Sequence, residues 1–438
     1  MSASPSQGSE YNQIVIYSFD GSKNADLKSG VVEFQYFEDL YSPTFTATLS
    51  VVNTAAKGDD KIKGIYHELP IQGGEKVHID ITTPIEMSRK AKGEFVVDMY
   101  VNGISNYVQE KNMESFTLHL VSKESIINQN TRIIEKFVSK KISELIEVFL
   151  KAVKLKEDQW DIEETRDKIN FIGNMRKPYT LAPMLANRAR PVEGGAGTAG
   201  FFFWQTRTKM NFKSIESLIK AETKAEYEFE RIVDTHGNPE KNFKKVLTYE
   251  LIKSSGVIDS ARAGEYSTYR IYFNPHTFGF TQHDSAMAGT WDKIGGEHLG
   301  TEEGKPAPVV DPDPKGDGEN KFTKPYMAHR IVSGINATGC MEPKVDTTVV
   351  QPQTHDVAQS IWRYGSLFSQ VMTLTVPVNI GLFAGDKIEC LFPQVSGEDD
   401  IDSHGSGLYI IKEISHFFEP NRSYTAMKVL RDTSGQKK

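Results

Sequence analysis

The sequence has few cysteines and no long hydrophobic run, and both absences narrow what the protein can be. Two cysteines, Cys340 and Cys390, occur among 438 residues, too few for a disulfide framework or a cysteine-ligated metal site, so we expect two reduced, largely buried thiols. No apolar stretch approaches the ~18 residues of a membrane span, so no membrane anchor is expected. Residues 1–11 are small and polar and lack the apolar core of a signal peptide, which predicts a protein kept in the cytoplasm.

An excess of positive charge is also missing. The chain has 51 Lys and Arg against 58 Asp and Glu, a formal net charge of −7. Nucleic-acid-binding domains usually carry a surplus of Lys and Arg, so a broad DNA-binding face is not expected, and a local basic patch stays open. With 38% hydrophobic and 25% charged residues, the composition is typical of a folded globular protein. The length predicts about three domains.

Motifs that would carry chemistry are lacking as well. Residues 195–200 match the dinucleotide pattern G-x-G-x-x-G, but that motif must follow a strand and open a helix, whereas an Arg-Pro pair precedes this one and an apolar strand is predicted after it. We interpret it as a loop. The segment Asp311–Glu319 resembles a calcium loop, yet a lysine occupies a ligand position and two prolines restrict its path. We interpret this segment as a solvated acidic loop.

Nothing else in the sequence indicates an active site. The histidines are scattered, and His276 and His283 have no supporting cluster of metal ligands. No G-x-S-x-G nucleophile elbow occurs. The sequence therefore predicts no catalytic residue, no metal, no cofactor and no enzymatic activity.

The sequence does contain a long-range repeat. Three strand-like blocks within residues 74–121 recur in the same order within 385–429. They begin at Gly74, Gly93 and Ser115, and at Gly385, Gly407 and Ser423. Both first blocks are a Gly-acid-Lys turn followed by alternating apolar residues, but the third block of the second copy shows no apolar face at Tyr424, Ala426 and Lys428. The alternative is chance similarity between two β domains, and we predict a duplication.

Hydrophobic periodicity predicts the remaining elements. Strands are predicted at 13–17, 31–36, 44–51, 201–204, 247–252 and 266–273. Helices are predicted over 142–153 with Ser139 as its cap, from Pro178 or Pro183, over 212–219 and near 355–369. A Gly-, Pro- and acid-rich loop is predicted over 294–324.

These elements predict an α+β fold that is mainly β. The predicted divisions are a first β domain at 1–128, an α/β connecting domain at 129–244, and a discontinuous second β domain at 245–280 plus 366–433. An inserted loop-rich and helical region occupies 281–365, and residues 434–438 form a polar tail. With the repeat blocks, six or seven strands precede residue 127, enough for a small closed or sandwich-like β unit.

Several strings together resemble the central baseplate hub proteins of T-even-type contractile-tailed phages. The first is Phe201–Gln205 together with 212–219, and the second is 263–266 leading to 272–275. The third is the run from 382–386 through 406–411 to Arg431-Asp432. The chain is also similar to the hub region of type VI secretion spike proteins. The resemblance covers most of the chain apart from about 281–350 and rests on packing and turn motifs.

The resemblance implies two similar antiparallel β-barrel-like tube domains joined by an α/β region, in a homotrimeric, non-enzymatic ring. The ring would adapt a sixfold tail tube to a threefold spike and line a conduit through which DNA passes without tight binding. Implied partners are a spike or lysozyme-type protein below, tail tube or tube-initiator proteins above, and the tape-measure and baseplate wedge proteins. The implied location is the virion baseplate, assembled in the host cytoplasm. Interface candidates are Lys76, His78, Lys387, Glu389, Arg431 and Asp432.

Two alternatives stay open. A type VI-like spike hub would need its spike on a separate polypeptide, because this chain ends at Lys438. A tail-associated glycan-binding or hydrolytic β protein would need a cleft with convergent aromatics and carboxylates. Trp204, Trp291 and Trp362 are available for such a cleft, but Trp204 is predicted in a core strand and Trp362 on a helix.

Overall fold

The computed structural model describes residues 9–54, 64–69, 71–83, 93–110, 113–193, 199–229, 244–254, 257–263, 267–274, 278–286, 297–300, 330–335, 356–394 and 401–433. The acidic segment 311–319, Cys340, His276, Trp291 and the tail 434–438 lie outside the described residues, as does all of the predicted loop 294–324 except 297–300.

Strands dominate the described chain. The strands are β1 Glu10–Tyr17, β2 Asn24–Asp26, β3 Val31–Asp39, β4 Thr46–Thr54, β5 Lys76–Thr82, β6 Glu94–Glu110, β7 Met113–Val121, β8 Lys136–Lys141, β9 Trp160–Ile162, β10 Lys168–Ile172, β11 Phe201–Gln205, β12 Met210–Ser214, β13 Thr223–Glu228, β14 Thr248–Ser254, β15 Ser267–Asn274, β16 Gly279–Ala286, β17 Arg330–Ile335, β18 Gln370–Pro377, β19 Lys387–Leu391, β20 Gly407–Phe418 and β21 Ser423–Arg431. The α-helices are α1 Ile65–Glu68, α2 Lys123–Asn130, α3 Ile142–Ala152, α4 Pro178–Ala186, α5 Ile215–Lys220, α6 Val257–Ala263 and α7 Asp356–Ser366.

One thirteen-stranded sheet organises the molecule. Its order is β14-β18-β21-β20-β3-β4-β7-β6-β5-β1-β2, with β19 on β20 and β13 on β19. Except for the parallel pair β13–β19, these strands pair antiparallel. The predicted α+β, mainly β fold is therefore confirmed.

Strand β20 belongs to two β units. Its first residues, 407–410, pair with β19, and its last residues, 413–418, pair with β3. The register shifts between Ile411 and Glu413, and the carbonyl of the intervening Lys412 accepts the N–H of Leu40 at 2.8 Å. Because a bulge bends a strand and increases its twist, β20 can leave one unit and enter the other without a break.

The first β unit comprises β1, β3–β7 and residues 413–418 of β20. Alternating residues of these strands point inward and form one apolar cluster, which Val378 and Ile380 also enter. Side-chain hydrogen bonds join β1 to the far end of this set: the Tyr11 hydroxyl donates to the Phe418 carbonyl at 2.8 Å, and the hydroxyls of Ser9 and Ser423 lie 2.6 Å apart. The strands thus wrap around their core as a barrel-like unit.

The second β unit comprises β13, β14, β18, β19, β20 and β21 around a second apolar cluster. The outer strands of this unit are β13 and β14, and residues 245–247, which lead into β14, connect them. The N–H of Val246 donates to the carbonyl of Glu228 on β13 at 3.0 Å, and the N–H of Leu247 donates to Thr375 on β18 at 2.8 Å. The sheet of this unit therefore also has a barrel-like shape.

A middle unit, α3, α4 and β8–β12, lies against the second β unit. Strand β11 separates their cores, because Phe201 and Phe203 enter the cluster of the middle unit while Phe202 and Trp204 enter that of the second β unit. All residues of β11 are buried, as predicted for a strand without apolar–polar alternation.

Three local predictions are corrected. Ser139 does not cap α3, because residues 136–141 are extended and pair with β10, and the helix begins at Ile142. Phe212 lies in strand β12, so the following helix begins only at Ile215, where the Ser214 hydroxyl accepts the N–H of Ser217. β15, predicted to join the second β unit, pairs with β16 and β17 in a separate sheet. The predicted domain boundaries stay predictions.

Candidate assembly interface

The repeated segments share the same turn. Gly74 and Gly385 have φ values of +93° and +91°, a conformation that glycine adopts without steric cost. The N–H of Gly74 donates to the carbonyl of Val101, and Val101 returns its N–H to Glu75. Gly385 and Asp386 exchange the same two hydrogen bonds with Ile411. In each copy the acid also accepts the N–H of the residue three positions earlier, at 2.7 and 2.9 Å.

The strands after each turn share one register. Val101 pairs with Leu120 and Ile411 pairs with Val429, and in each copy a bulge follows immediately. Leu118 therefore corresponds to Met427, one residue away from the alignment of the sequence blocks. The buried face of β21 consists of Thr425, Met427 and Val429. This displacement explains why the blocks, aligned at Ser115 and Ser423, showed no apolar face in the second copy.

Lys76 and His78 come together on the outer face of the first β unit. Because His78 lies directly opposite Asp98 on the neighbouring strand, the three side chains meet. The Lys76 ammonium lies 2.8 Å from one oxygen of Asp98, and His78 Nδ1 lies 2.7 Å from the other. Partial burial raises the pKa of Asp98, but the hydrogen bonds from Lys76 and His78 outweigh it and hold this pKa below its usual value.

Lys387 and Glu389 occupy the corresponding strand in the second β unit but have different surroundings. The Lys387 ammonium donates to the carbonyl of Ile219 at the end of α5, 2.8 Å away. Glu389 is half-buried and lies opposite Leu408. The two β units therefore share the backbone contacts of the turn and strand register, while the polar contacts of their outer faces differ.

Arg431 and Asp432 are fully buried and make contacts within the chain. One guanidinium nitrogen of Arg431 donates to the Ser406 carbonyl at 3.0 Å, and the group stacks over Tyr409. Asp432 accepts the N–H of Leu299 at 2.9 Å and pairs with Arg363 at 3.1 Å. Of the six interface candidates, these two therefore lie inside the chain and not on its outer face.

A buried carboxylate, Glu38, joins all three units, and sequence reasoning missed it. One oxygen accepts the Tyr36 hydroxyl and the N–H of Arg207, both at 2.8 Å, and the other accepts the N–H of Ala384 at 3.0 Å. The Ala384 carbonyl in turn accepts Trp204 Nε1 at 2.8 Å. Burial raises the pKa of Glu38 to about 7, opposed by these hydrogen bonds and by the Arg207 guanidinium.

The raised pKa of Glu38 predicts a pH-dependent stability. The folded chain holds the proton more tightly than the unfolded chain, whose carboxyl titrates near 4.5, so stability is lost as pH rises from about 4.5 through about 7. Between about pH 5.5 and 7 the contribution of Glu38 should fall by about 1.5 kcal/mol. In Glu38→Gln this contribution should be absent.

Urea unfolding of both proteins across this range measures the effect, and the difference between the two curves isolates Glu38 from other titrating groups. A pH-independent difference would show that Glu38 titrates normally in the folded chain.

The described part of the chain has neither a cluster of metal-ligand side chains nor a membrane-spanning helix. There, no group of three or more His, Cys, Asp or Glu side chains could hold a metal ion. Among the described helices, none is long and apolar enough to cross a membrane.

Comparison with known proteins identifies the fold. No protein-family model and no curated protein match the sequence. The structure is similar to the 43 kDa tail protein of prophage MuSo2 from Shewanella oneidensis, with a TM-score of 0.52, 12% identity, and coverage of 96% of this chain and 100% of that one. It is also similar to a tail protein from Neisseria meningitidis MC58, with a TM-score of 0.50, 8% identity and 97% coverage of both chains.

A lower TM-score of 0.42 relates the chain to the E. coli c3393 protein, a type VI secretion component, at 7% identity over 93% of this chain and 76% of that one. The two tail proteins carry the conclusion: the chain has the fold of phage tail proteins along nearly its whole length. The resemblance predicted from the sequence is confirmed at the level of the fold.

Proposed function

We propose that the chain is a structural tail protein that forms the trimeric hub of a baseplate. The observation that carries this proposal is a tail-protein fold over 96% of the chain, combined with two β units whose turns and strand registers repeat. Three such chains around one axis place six related units around a bore. A ring of this kind presents equivalent docking sites to a sixfold tube above and keeps threefold symmetry toward a spike below.

Heterologous contacts close the proposed ring, the first β unit of one chain lying against the second β unit of the next. Lys76 and His78 on one unit and Lys387 and Glu389 on the other are the proposed interface residues. Tail tube or tube-initiator proteins, a spike protein, and tape-measure and wedge proteins are the proposed neighbours. DNA passes through the bore without tight binding, since a net charge of −7 opposes the attraction of phosphate groups. The role is one of assembly, without catalysis.

Reconstruction of tail particles containing the chain tests the symmetry. We expect a ring of three chains with pseudo-sixfold β units. A two-fold dimer, or a ring whose first and second β units occupy unrelated positions, would refute the proposal.

A pair of variants tests the proposed interface in the same particles. Lys76→Glu reverses an interface charge, and Lys123→Glu reverses an exposed charge at the start of α2. We expect incorporation into particles to fall about tenfold for Lys76→Glu, because like charges across a contact suppress association, and to stay unchanged for Lys123→Glu. Equal incorporation of both variants would place the interface elsewhere.

A further inference from the structure

A basic cleft opens beside the second β unit. It has a volume of about 490 Å³ and lies between β12, α5, the start of β13 and the turn 383–386. Its lysines are Lys209, Lys213, Lys220 and Lys224. Two carboxylates, Glu222 and Asp386, also line it. On a chain with a net charge of −7, the surplus of lysines marks this cleft as locally basic.

Three of the four lysines are available to a ligand. Lys209, Lys220 and Lys224 are exposed, and none of them forms an ion pair within the described residues. Lys213 is half-buried, with its ammonium 2.7 Å from Asp161. Exposed ammonium groups around a concavity attract an anion more strongly than the same groups spread over a convex surface, because the cleft walls limit solvent screening.

The floor of the cleft is polar and preformed. The Asp386 carboxylate accepts the N–H of Phe383 at 2.9 Å, which fixes its position. Burial raises the pKa of Asp386 to about 6, opposed by that hydrogen bond and by the charges of Lys224 and Lys213. The exposed Thr208 adds a hydroxyl to the cleft, whereas the buried Thr206 hydroxyl is already hydrogen-bonded to the backbone of Lys209.

The combination of lysines, carboxylates and a hydroxyl in the cleft favours one class of anionic ligand over the others. A DNA duplex is too wide to enter a cleft of this size, and single-stranded nucleic acids stack on exposed aromatic rings. Two aromatic side chains line the cleft. Trp204 is 3% exposed with its Nε1 already hydrogen-bonded, and Phe383 is half-buried with the Arg207 guanidinium over its ring. A peptide, by contrast, carries carboxylates for the lysines and backbone N–H groups for Asp386 and the Thr208 hydroxyl. The volume is within the ~300–1,000 Å³ of typical ligand pockets.

We propose that this basic cleft binds an acidic peptide segment of a partner protein, through ion pairs from its Asp and Glu side chains to Lys209, Lys220 and Lys224. The cleft is built from residues of one chain, so the proposal does not depend on trimer formation. In addition to its contacts with folded neighbours, the protein binds an extended peptide segment through this cleft.

Fluorescence anisotropy with a labelled hexaglutamate peptide tests the proposal on the full chain at low salt. The cleft variant is Lys209→Gln/Lys220→Gln/Lys224→Gln. The control, Lys23→Gln/Lys123→Gln/Lys136→Gln, changes the net charge equally at exposed lysines outside the cleft. We expect the cleft variant to weaken peptide binding at least about tenfold and the control to change it less than about threefold.

Every other outcome overturns the proposal. Absence of binding to the unmodified chain, or equal weakening by both variants, would show only general charge attraction. A labelled oligothymidine that binds the chain more tightly than the peptide, and loses affinity in the cleft variant, would assign the cleft to single-stranded nucleic acid.

Discussion

Replacing Arg363 by alanine should lower the free energy of unfolding by about 3–5 kcal/mol. The guanidinium is 2% exposed and lies 3.0 Å from Glu216 and 3.1 Å from Asp432, whose side chains are 6% and 0% exposed. Removal of the arginine leaves two buried carboxylates without their counter-charge. The loss is large because water does not replace the missing partner at such depth.

The same ion cluster attaches a distant segment to the second β unit. The second oxygen of Glu216 accepts the N–H of Glu297 at 2.8 Å, and Asp432 accepts the N–H of Leu299 at 2.9 Å. Helix α5, helix α7, the end of β21 and residues 297–300 therefore share one buried polar centre. In Arg363→Ala, the contacts of 297–300 should loosen together with the global loss of stability.

A triple variant separates buried charge from lost packing. In Arg363→Met/Glu216→Gln/Asp432→Asn the centre is neutral, its volume is nearly kept, and both amides retain an oxygen that accepts the N–H of the 297–300 segment. We expect this variant to recover at least about 2 kcal/mol of the loss, because it leaves no uncompensated charge in the core. Denaturant unfolding provides the measurement.

An exposed pair supplies the control for this experiment. Lys140 and Glu144 are 3.2 Å apart at i,i+4 spacing with side chains 54% and 42% exposed. Lys140→Ala should cost no more than about 0.5 kcal/mol. If the triple variant were as unstable as Arg363→Ala, or Arg363→Ala no more costly than Lys140→Ala, the buried charge would not be the cause.

The strands were predictable from the sequence wherever one face of a strand is buried and the other is not. Val77, Ile79 and Ile81 alternate with polar residues, and so do Phe116, Leu118 and Leu120. Strand β11 is buried on both faces and was identified by its continuous apolar run. The amphipathic helices α3 and α7 were likewise predicted from residues at 3.6-residue spacing.

Contacts between distant segments could not be predicted in this way. The pairing of β20 with β3, which makes one sheet of two β units, leaves no local periodicity. The bulges after Val101 and Ile411 displaced the register of the repeat by single residues. Arg363 and Asp432 are charged residues that periodicity assigns to solvent. A weak signal existed on α7, where Ser360, Arg363 and Ser366 follow each other at i,i+3 spacing and are all buried.

A second large effect on stability is expected at the repeated glycine turns. The same glycine-to-alanine substitution can be made at Gly74 and at Gly385, which have nearly equal φ values. Gly385→Ala should lower the free energy of unfolding by about 3 kcal/mol, and Gly74→Ala by about 1 kcal/mol. Both alanines would be strained, since φ is +91° and +93°. At Gly385 the new Cβ would also lie 2.7 Å from Cζ2 of Trp204. Trp204 is buried and bonded to Ala384, so it cannot move aside.

At Gly74 the side chain nearest to the new Cβ, that of Phe19, can move away. This Cβ would lie 3.2 Å from the ring of Phe19, which is 81% exposed and free to rotate into solvent. Gly103→Ala is the control, because no atom lies within 4 Å of its Cβ, and it should change stability by less than about 1 kcal/mol. Denaturant unfolding of the three variants ranks them. Equal losses at Gly74 and Gly385 would mean that backbone strain alone sets the cost. A larger loss at Gly385, as we expect, would show that this turn is locked against Trp204, where the second β unit meets the middle unit.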